Sequence, residues 1–161
     1  MKKLLLACSF TTLLAACAAN PFTGFRLEPG TGRDAVIARL GQPTRAVRLP
    51  SGERLQYSQQ RFGQQAWMVD LDAGGRVLRS RQVLTAAEFN RIEVDKWTRD
   101  EVELEFGPPA KIDGVASWNG PIMTYRWNDG SDMFYFVYLD VRGVVRRAHP
   151  GMEFVNARDR D

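Results

Sequence analysis

The chain has 161 residues, with 22 Lys and Arg against 19 Asp and Glu, a formal charge of +3. Two of those bases, Lys2 and Lys3, sit in an N-terminal leader, and without them the balance is 20 against 19, or +1. No block of Lys and Arg is left that would neutralise a phosphate backbone, so nucleic acid is not the expected partner.

Two positive charges precede the uncharged run Leu4-Leu5-Leu6-Ala7-Cys8-Ser9-Phe10-Thr11-Thr12-Leu13-Leu14, and small residues follow. This order of charge, apolar stretch and small residues is that of a secretory signal over residues 1–16. The apolar run is too short to span a bilayer, which takes ~20 residues. Leu14-Ala15-Ala16-Cys17 resembles the lipobox of bacterial lipoproteins. That resemblance implies diacylglycerol on the Cys17 thiol, cleavage before Cys17 and acylation of the freed amine. Ala18 after the lipidated residue implies sorting to the outer membrane rather than retention at the inner one. Cys8 leaves with the signal, so no intramolecular disulfide is expected despite export to an oxidising compartment.

Cleavage leaves 145 of the 161 residues, enough for one sizeable core or two small ones. Residues 17–32 are rich in Pro, Gly and small polar types and read as a tether from the bilayer. Beyond it the chain repeats. Arg33-Asp34-Ala35-Val36-Ile37-Ala38-Arg39-Leu40-Gly41-Gln42-Pro43 aligns with Arg99-Asp100-Glu101-Val102-Glu103-Leu104-Glu105-Phe106-Gly107-Pro108-Pro109 at an offset of 66. Val69-Asp70-Leu71-Asp72 to Val77 aligns with Val137-Tyr138-Leu139-Asp140 to Val145 at an offset of 68, shared by Tyr57 and Tyr125. Two blocks in the same order mark a tandem duplication: a first repeat over 33–84 and a second over 85–148.

Each repeat opens on a helix. Glu101 to Phe106 alternates charged and apolar residues, which alone would suit a strand. Its partner does not alternate: Val36, Ile37 and Leu40 fall on one helical face, and Val102 with Phe106 occupies the same face in the second repeat. Thr98 with Glu101 is a capping-box start, and Gly107 before Pro109 is a stop. Hairpins follow: Thr44–Leu49 with Arg54–Ser58, then Trp67–Asp72 with a strand over 76–84. The second repeat has turns near Asn119-Gly120, Asn128-Asp129-Gly130 and Arg142-Gly143. Between the repeats, Thr85 and Glu88 open a further short helix with Phe89 and Ile92 inward. The expected fold is α+β: two tandem repeats, each with short helices packed on an antiparallel β-meander. Residues 149–161 have little to bury and read as a loose tail.

The motif Thr98-Arg99-Asp100-Glu101-Val102, Phe106-Gly107-Pro108-Pro109, Tyr125, Leu139-Asp140 and Gly143-Val144-Val145, with Phe89 and Ile92 before it, resembles the SmpA/OmlA-type lipoproteins, the BamE-like family. The resemblance implies helices on an antiparallel sheet, lipid anchoring in the outer membrane, and contacts with envelope proteins such as the β-barrel assembly machinery. Two units rather than one depart from that family. A tandem pair is similar instead to β-lactamase inhibitory protein, whose repeats offer a concave sheet to an enzyme, but which carries disulfides. Binding or inhibition of a specific periplasmic enzyme is therefore the alternative expectation.

Enzymatic groups are sparse. His149 is the one histidine, beside Pro150 and Gly151, with no thiol to activate. Asp70 and Asp72 suggest a calcium loop only superficially, because Tyr138 replaces Asp70 in the second repeat. Asp72 and Asp140 are better read as turn residues bonding their own backbone. Neither a catalytic residue, a metal nor a cofactor is expected. The aromatics say more. Trp67, Val69 and Leu71 make one apolar face; Tyr135, Val137 and Leu139 repeat it, but Phe136 and Tyr138 replace Met68 and Asp70 on the other face. Either a helix, the tether or the first repeat covers this extra face, or it binds a partner through Phe136 and Tyr138, with Trp118, Trp127 and Phe134 nearby in sequence.

Overall fold

The computed structural model describes residues 27–153; the signal segment, Cys17 and the start of the tether lie outside the described residues. In chain order the first repeat holds α1 (Arg33–Leu40), β1 (Arg45–Leu49), β2 (Gly52–Ser58), β3 (Ala66–Asp72) and β4 (Val77–Gln82). The second holds α2 (Ala86–Phe89), α3 (Arg99–Phe106), β5 (Lys111–Asp113), β6 (Ile122–Asn128), β7 (Asp132–Leu139) and β8 (Val145–Met152). Each repeat closes its own antiparallel meander, β1-β2-β3-β4 and β5-β6-β7-β8. The chain is thus α+β, with two separate four-stranded sheets.

Local chemistry sets the helices. The Thr98 hydroxyl accepts the Glu101 N–H at 3.4 Å while the Glu101 carboxylate accepts the Thr98 N–H at 2.6 Å. Two donors that α3 cannot use internally are thereby satisfied. The hairpins after β3 and after β7 supply another contact of the same kind: Arg33 N–H donates to Gly75 O at 2.9 Å, and Arg99 N–H to Gly143 O at 2.8 Å. The two blocks that recur in sequence are therefore one structural unit, a helix start gripped by a hairpin turn. Asp72 and Asp140 shape that turn, each taking two backbone N–H groups on one carboxylate oxygen. These bonds, with Arg146, hold the Asp140 carboxyl down at about 2.

The two-residue drift between offsets falls in the connection of β5 to β6. Pro50 and Ser51 join β1 to β2, whereas residues 114–121 join β5 to β6. The tail begins later than the sequence suggests. His149, Pro150, Gly151 and Met152 belong to β8 and pair with Phe136, Tyr135, Phe134 and Met133. Nothing in His-Pro-Gly-Met reads as a strand, but β8 is a sheet edge, where the N–H that Pro150 lacks is not needed.

The layers stack in the order α1, first sheet, α3, second sheet. Val36 and Leu40 of α1 pack on Leu55, Tyr57, Val69 and Leu71. Val102 and Phe106 of α3, with Phe89 of α2, pack on Tyr125, Tyr135, Val137 and Leu139. Phe89 stacks on Tyr135 at 4.0 Å between centroids. The outer side of α3 meets the second face of the first sheet. There Arg54 Nη1 donates to Leu104 O at 3.0 Å and to the Glu105 carboxylate at 2.7 Å. Gln56 Nε2 donates to Glu103 O and Leu104 O, both at 3.0 Å. Arg54 also pairs with Asp70 at 2.5 Å, and Arg81 with Glu105 at 2.7 Å. Burial pushes the Asp70 and Glu105 carboxyls up, but hydrogen bonds from Arg54, with Arg79 and Arg81, outweigh it and hold both below their ordinary values. Ala66 and Met68 of the first sheet join the core of the second repeat, while the other face of that sheet has its own core under α1.

Candidate functional site

Strand pairing fixes which side chains share a face. Tyr138 lies opposite Ile122 and Arg147, Phe136 opposite Thr124 and His149, and Phe134 opposite Arg126 and Gly151. All of these sit on the side of the second sheet turned away from α2 and α3. All three helices are engaged elsewhere, so no helix among the described residues packs on this side. Phe134, Phe136 and Tyr138 are half-buried and belong to neither core.

The face is an aromatic ladder. Phe134 and Phe136 are 5.8 Å apart, and the His149 ring lies 5.6 Å from Phe136 and 5.4 Å from Tyr138. Trp118, carried by the longer connection before β6, meets Tyr138 edge-on at 5.2 Å and donates Nε1–H to Leu139 O at 2.8 Å. Phe136 leans over Gly151, where a Cβ would come within 2.7 Å of the ring. Arg147 is exposed and lies over the Tyr138 ring at 4.9 Å. At one end Arg126 pairs with Glu153 at 2.6 Å, while Gln60 of the first repeat bonds both the N–H and the C=O of Arg126.

Four of the five aromatics expected at a partner surface come together here: Phe134, Phe136, Tyr138 and Trp118. Trp127 does not. It is 3% exposed, on the opposite face, packed against Phe89 at 5.5 Å. Nearness in sequence misplaced it, because its parity along β6 puts it opposite Met133 on the helix side. Sequence reasoning missed His149 and Arg147, which complete the ladder from β8. The signal was present: at the repeat offset of 68 they stand where Arg81 and Arg79 stand in β4.

Two buried polar atoms on this sheet side, Thr124 Oγ1 and His149 Nε2, have no hydrogen-bond partner. The face offers aromatic area and the exposed Arg147 guanidinium. Among the described residues no group of three His, Cys, Asp or Glu is placed to hold a metal. Asp70, the doubtful calcium ligand, is instead buried between Arg54 and Arg79.

No family model and no curated protein matches the chain. A solved structure, that of a DUF4309 family protein (YjgB) from Bacillus subtilis subsp. subtilis str. 168, is similar at 15% identity and a TM-score of 0.32, over 76% of this chain and 79% of that one.

Proposed function

We propose that the chain is a non-enzymatic outer-membrane lipoprotein of BamE-like type, an accessory or scaffold module that works in envelope or outer-membrane protein assembly through protein–protein contacts. The observation that carries this reading is the lipobox-like Leu14-Ala15-Ala16-Cys17 ahead of a small domain with a half-exposed aromatic face. The lipid would hold the module at the membrane, and the face would present it to other envelope proteins. Each buried acyl methylene contributes ~0.8 kcal/mol, and two or more chains on Cys17 anchor stably without a spanning helix.

The alternative is binding or inhibition of one specific periplasmic enzyme, in the manner of β-lactamase inhibitory protein. Cys17→Ala should abolish lipid labelling and release the protein from the outer-membrane fraction; a variant that still sediments with outer membranes would sink the anchor. Affinity purification from cross-linked envelopes tests the partner class. Barrel-assembly components favour the scaffold, and a single soluble enzyme favours the inhibitor.

A further inference from the structure

The connection between β2 and β3 is longer than the sheet requires. In the second repeat Asp129, Gly130 and Ser131 suffice to turn β6 into β7, whereas residues 59–65 join β2 to β3. The longer loop carries Phe62, which at 84% is the most exposed large apolar side chain among the described residues. Hydrogen bonds hold it in that position. Gln59 N–H donates to Gln65 O at 2.9 Å, and Gly63 N–H to Gln59 O at 2.8 Å. The Gln60 amide donates to Gly63 O at 2.9 Å and to Arg126 O at 2.8 Å, and accepts from Arg126 N–H at 2.9 Å. Arg126 Nη1 donates to Phe62 O at 2.9 Å. The loop is thus fixed with its phenyl ring in water, where the ring contributes no burial to the fold and is free to associate.

Phe62 marks one end of the molecule. Gln64 Nε2 donates to Asp132 Oδ1 at 2.7 Å, so the loop lies beside the β6–β7 hairpin. Through Arg126 it also meets Glu153, paired at 2.6 Å, and the neighbouring Met152 is 61% exposed. The helix starts, with the turns at Gly75 and Gly143, lie at the other end. The chain that leads back to Cys17 advances toward the Phe62 end. Gly32 bridges to Arg76, whereas Leu27, Glu28 and Pro29 line a cleft with Leu78, Arg79 and Ser80, farther along β4. That strand ends at Gln82, opposite Trp67 and next to the loop. Ten residue steps separate Leu27 from Cys17, a reach of up to about 35 Å. The whole of β4 is only about 17 Å long. A lipid on Cys17 can therefore lie at the Phe62 end.

We propose that this is the membrane end: Phe62, with Met152 at the same end, enters the lipid leaflet that holds the acyl chains of Cys17. The proposal rests on the lipid-anchor part of the scaffold reading and adds an orientation to it. One phenyl ring does not hold a free protein on a bilayer, but the anchor makes the encounter intramolecular, and a weak contact then fixes a pose. Strand β7 stands away from the bilayer, with Phe134 nearest the lipid and Tyr138 and Trp118 farthest. The aromatic ladder is left open to envelope proteins.

The test uses the mature acylated chain in nanodiscs of phosphatidylethanolamine and phosphatidylglycerol with a doxyl-labelled lipid, whose nitroxide broadens nearby amide signals in NMR. Amides of residues 61–64 and 152–153 should lose about threefold or more intensity relative to those of 141–143 at the opposite end. Phe62→Ser should abolish that difference and leave Tm unchanged, because the ring is exposed. Equal broadening at both ends, or a pattern that Phe62→Ser does not alter, overturns the proposal. So does strongest broadening at residues 134–138, which would lay the aromatic ladder itself on the bilayer. An intact mass without acyl chains on Cys17 ends the anchor reading and this proposal with it. A lipidated chain whose Phe62 end stays in water ends this proposal alone.

Discussion

At the residue scale, the two repeats use the same pair of residues, a glycine and a tyrosine, to end a helix. Gly41 has φ 79° and ψ −170°, and Gly107 φ 79° and ψ −171°. The sequence suggests a left-handed helical residue there; the observed backbone is positive in φ but extended in ψ, a region essentially closed to residues with a Cβ. Tyr57 and Tyr125 then donate their hydroxyls to Gly41 O at 3.2 Å and Gly107 O at 2.9 Å. Both residue pairs recur in sequence, but their meeting is not legible there, since 16 or more residues separate each tyrosine from its glycine. Gly107→Val should cost about 1–3 kcal/mol from backbone strain alone. Added to this is contact with the Met68 methyl, 3.4 Å from where a Cβ would sit. Gly130→Val faces a similar φ but open space. Thermal melts should therefore show the larger drop for Gly107→Val, and equal drops would remove the packing part of this account.

At the element scale, α3 explains why its own sequence was ambiguous. Glu101 to Phe106 alternates because the helix is used on both sides: Val102 and Phe106 face the second sheet, while Glu103 and Glu105 face Arg and Gln of the first. A pattern read for one buried face does not anticipate a second, polar one. The repeat alignment resolved the helix, but it could not show that the second repeat's helix would fill a face of the first repeat's sheet. Arg54→Met would leave Asp70 buried with Arg79 as its remaining partner, and breaking a buried pair from one side costs about 3 kcal/mol or more. Denaturant unfolding checks this. The same network sets an acid limit. Asp70 and Glu105 titrate lower in the folded chain than unfolded, so their contribution is present above the ordinary carboxylate range, near pH 4, and is lost as pH falls through their folded values. The melting temperature should fall on acidification below about pH 4. Asp70→Asn with Glu105→Gln should flatten that fall, and an unchanged slope would place the acid sensitivity elsewhere.

At the scale of the whole molecule, the α+β class and the duplication were legible because the repeated blocks contain the residues that grip each helix start. The stacking order was not, because it depends on which sheet face each helix meets. The open aromatic face was half legible. Alternation along β7 exposed the anomaly of Phe136 and Tyr138, but strand parity in β6 and the extent of β8 were needed to remove Trp127 and to add His149 and Arg147. Replacing Phe136 with Met and Tyr138 with Asp copies the first repeat and separates binding from folding. Both side chains are half-buried, outside the cores, and next to exposed Arg147, so a new carboxylate at 138 would stay solvated and near a cation. Substitutions of this kind shift stability by about 0.5 kcal/mol, or about 1–3 °C in Tm. Trp127→Ala, on the other face, should cost about 3–5 kcal/mol. The double variant should therefore melt close to the unmodified chain and lose its partner in cross-linked envelopes. If it unfolds as Trp127→Ala does, the aromatic ladder is core, and the open face is not where the protein binds.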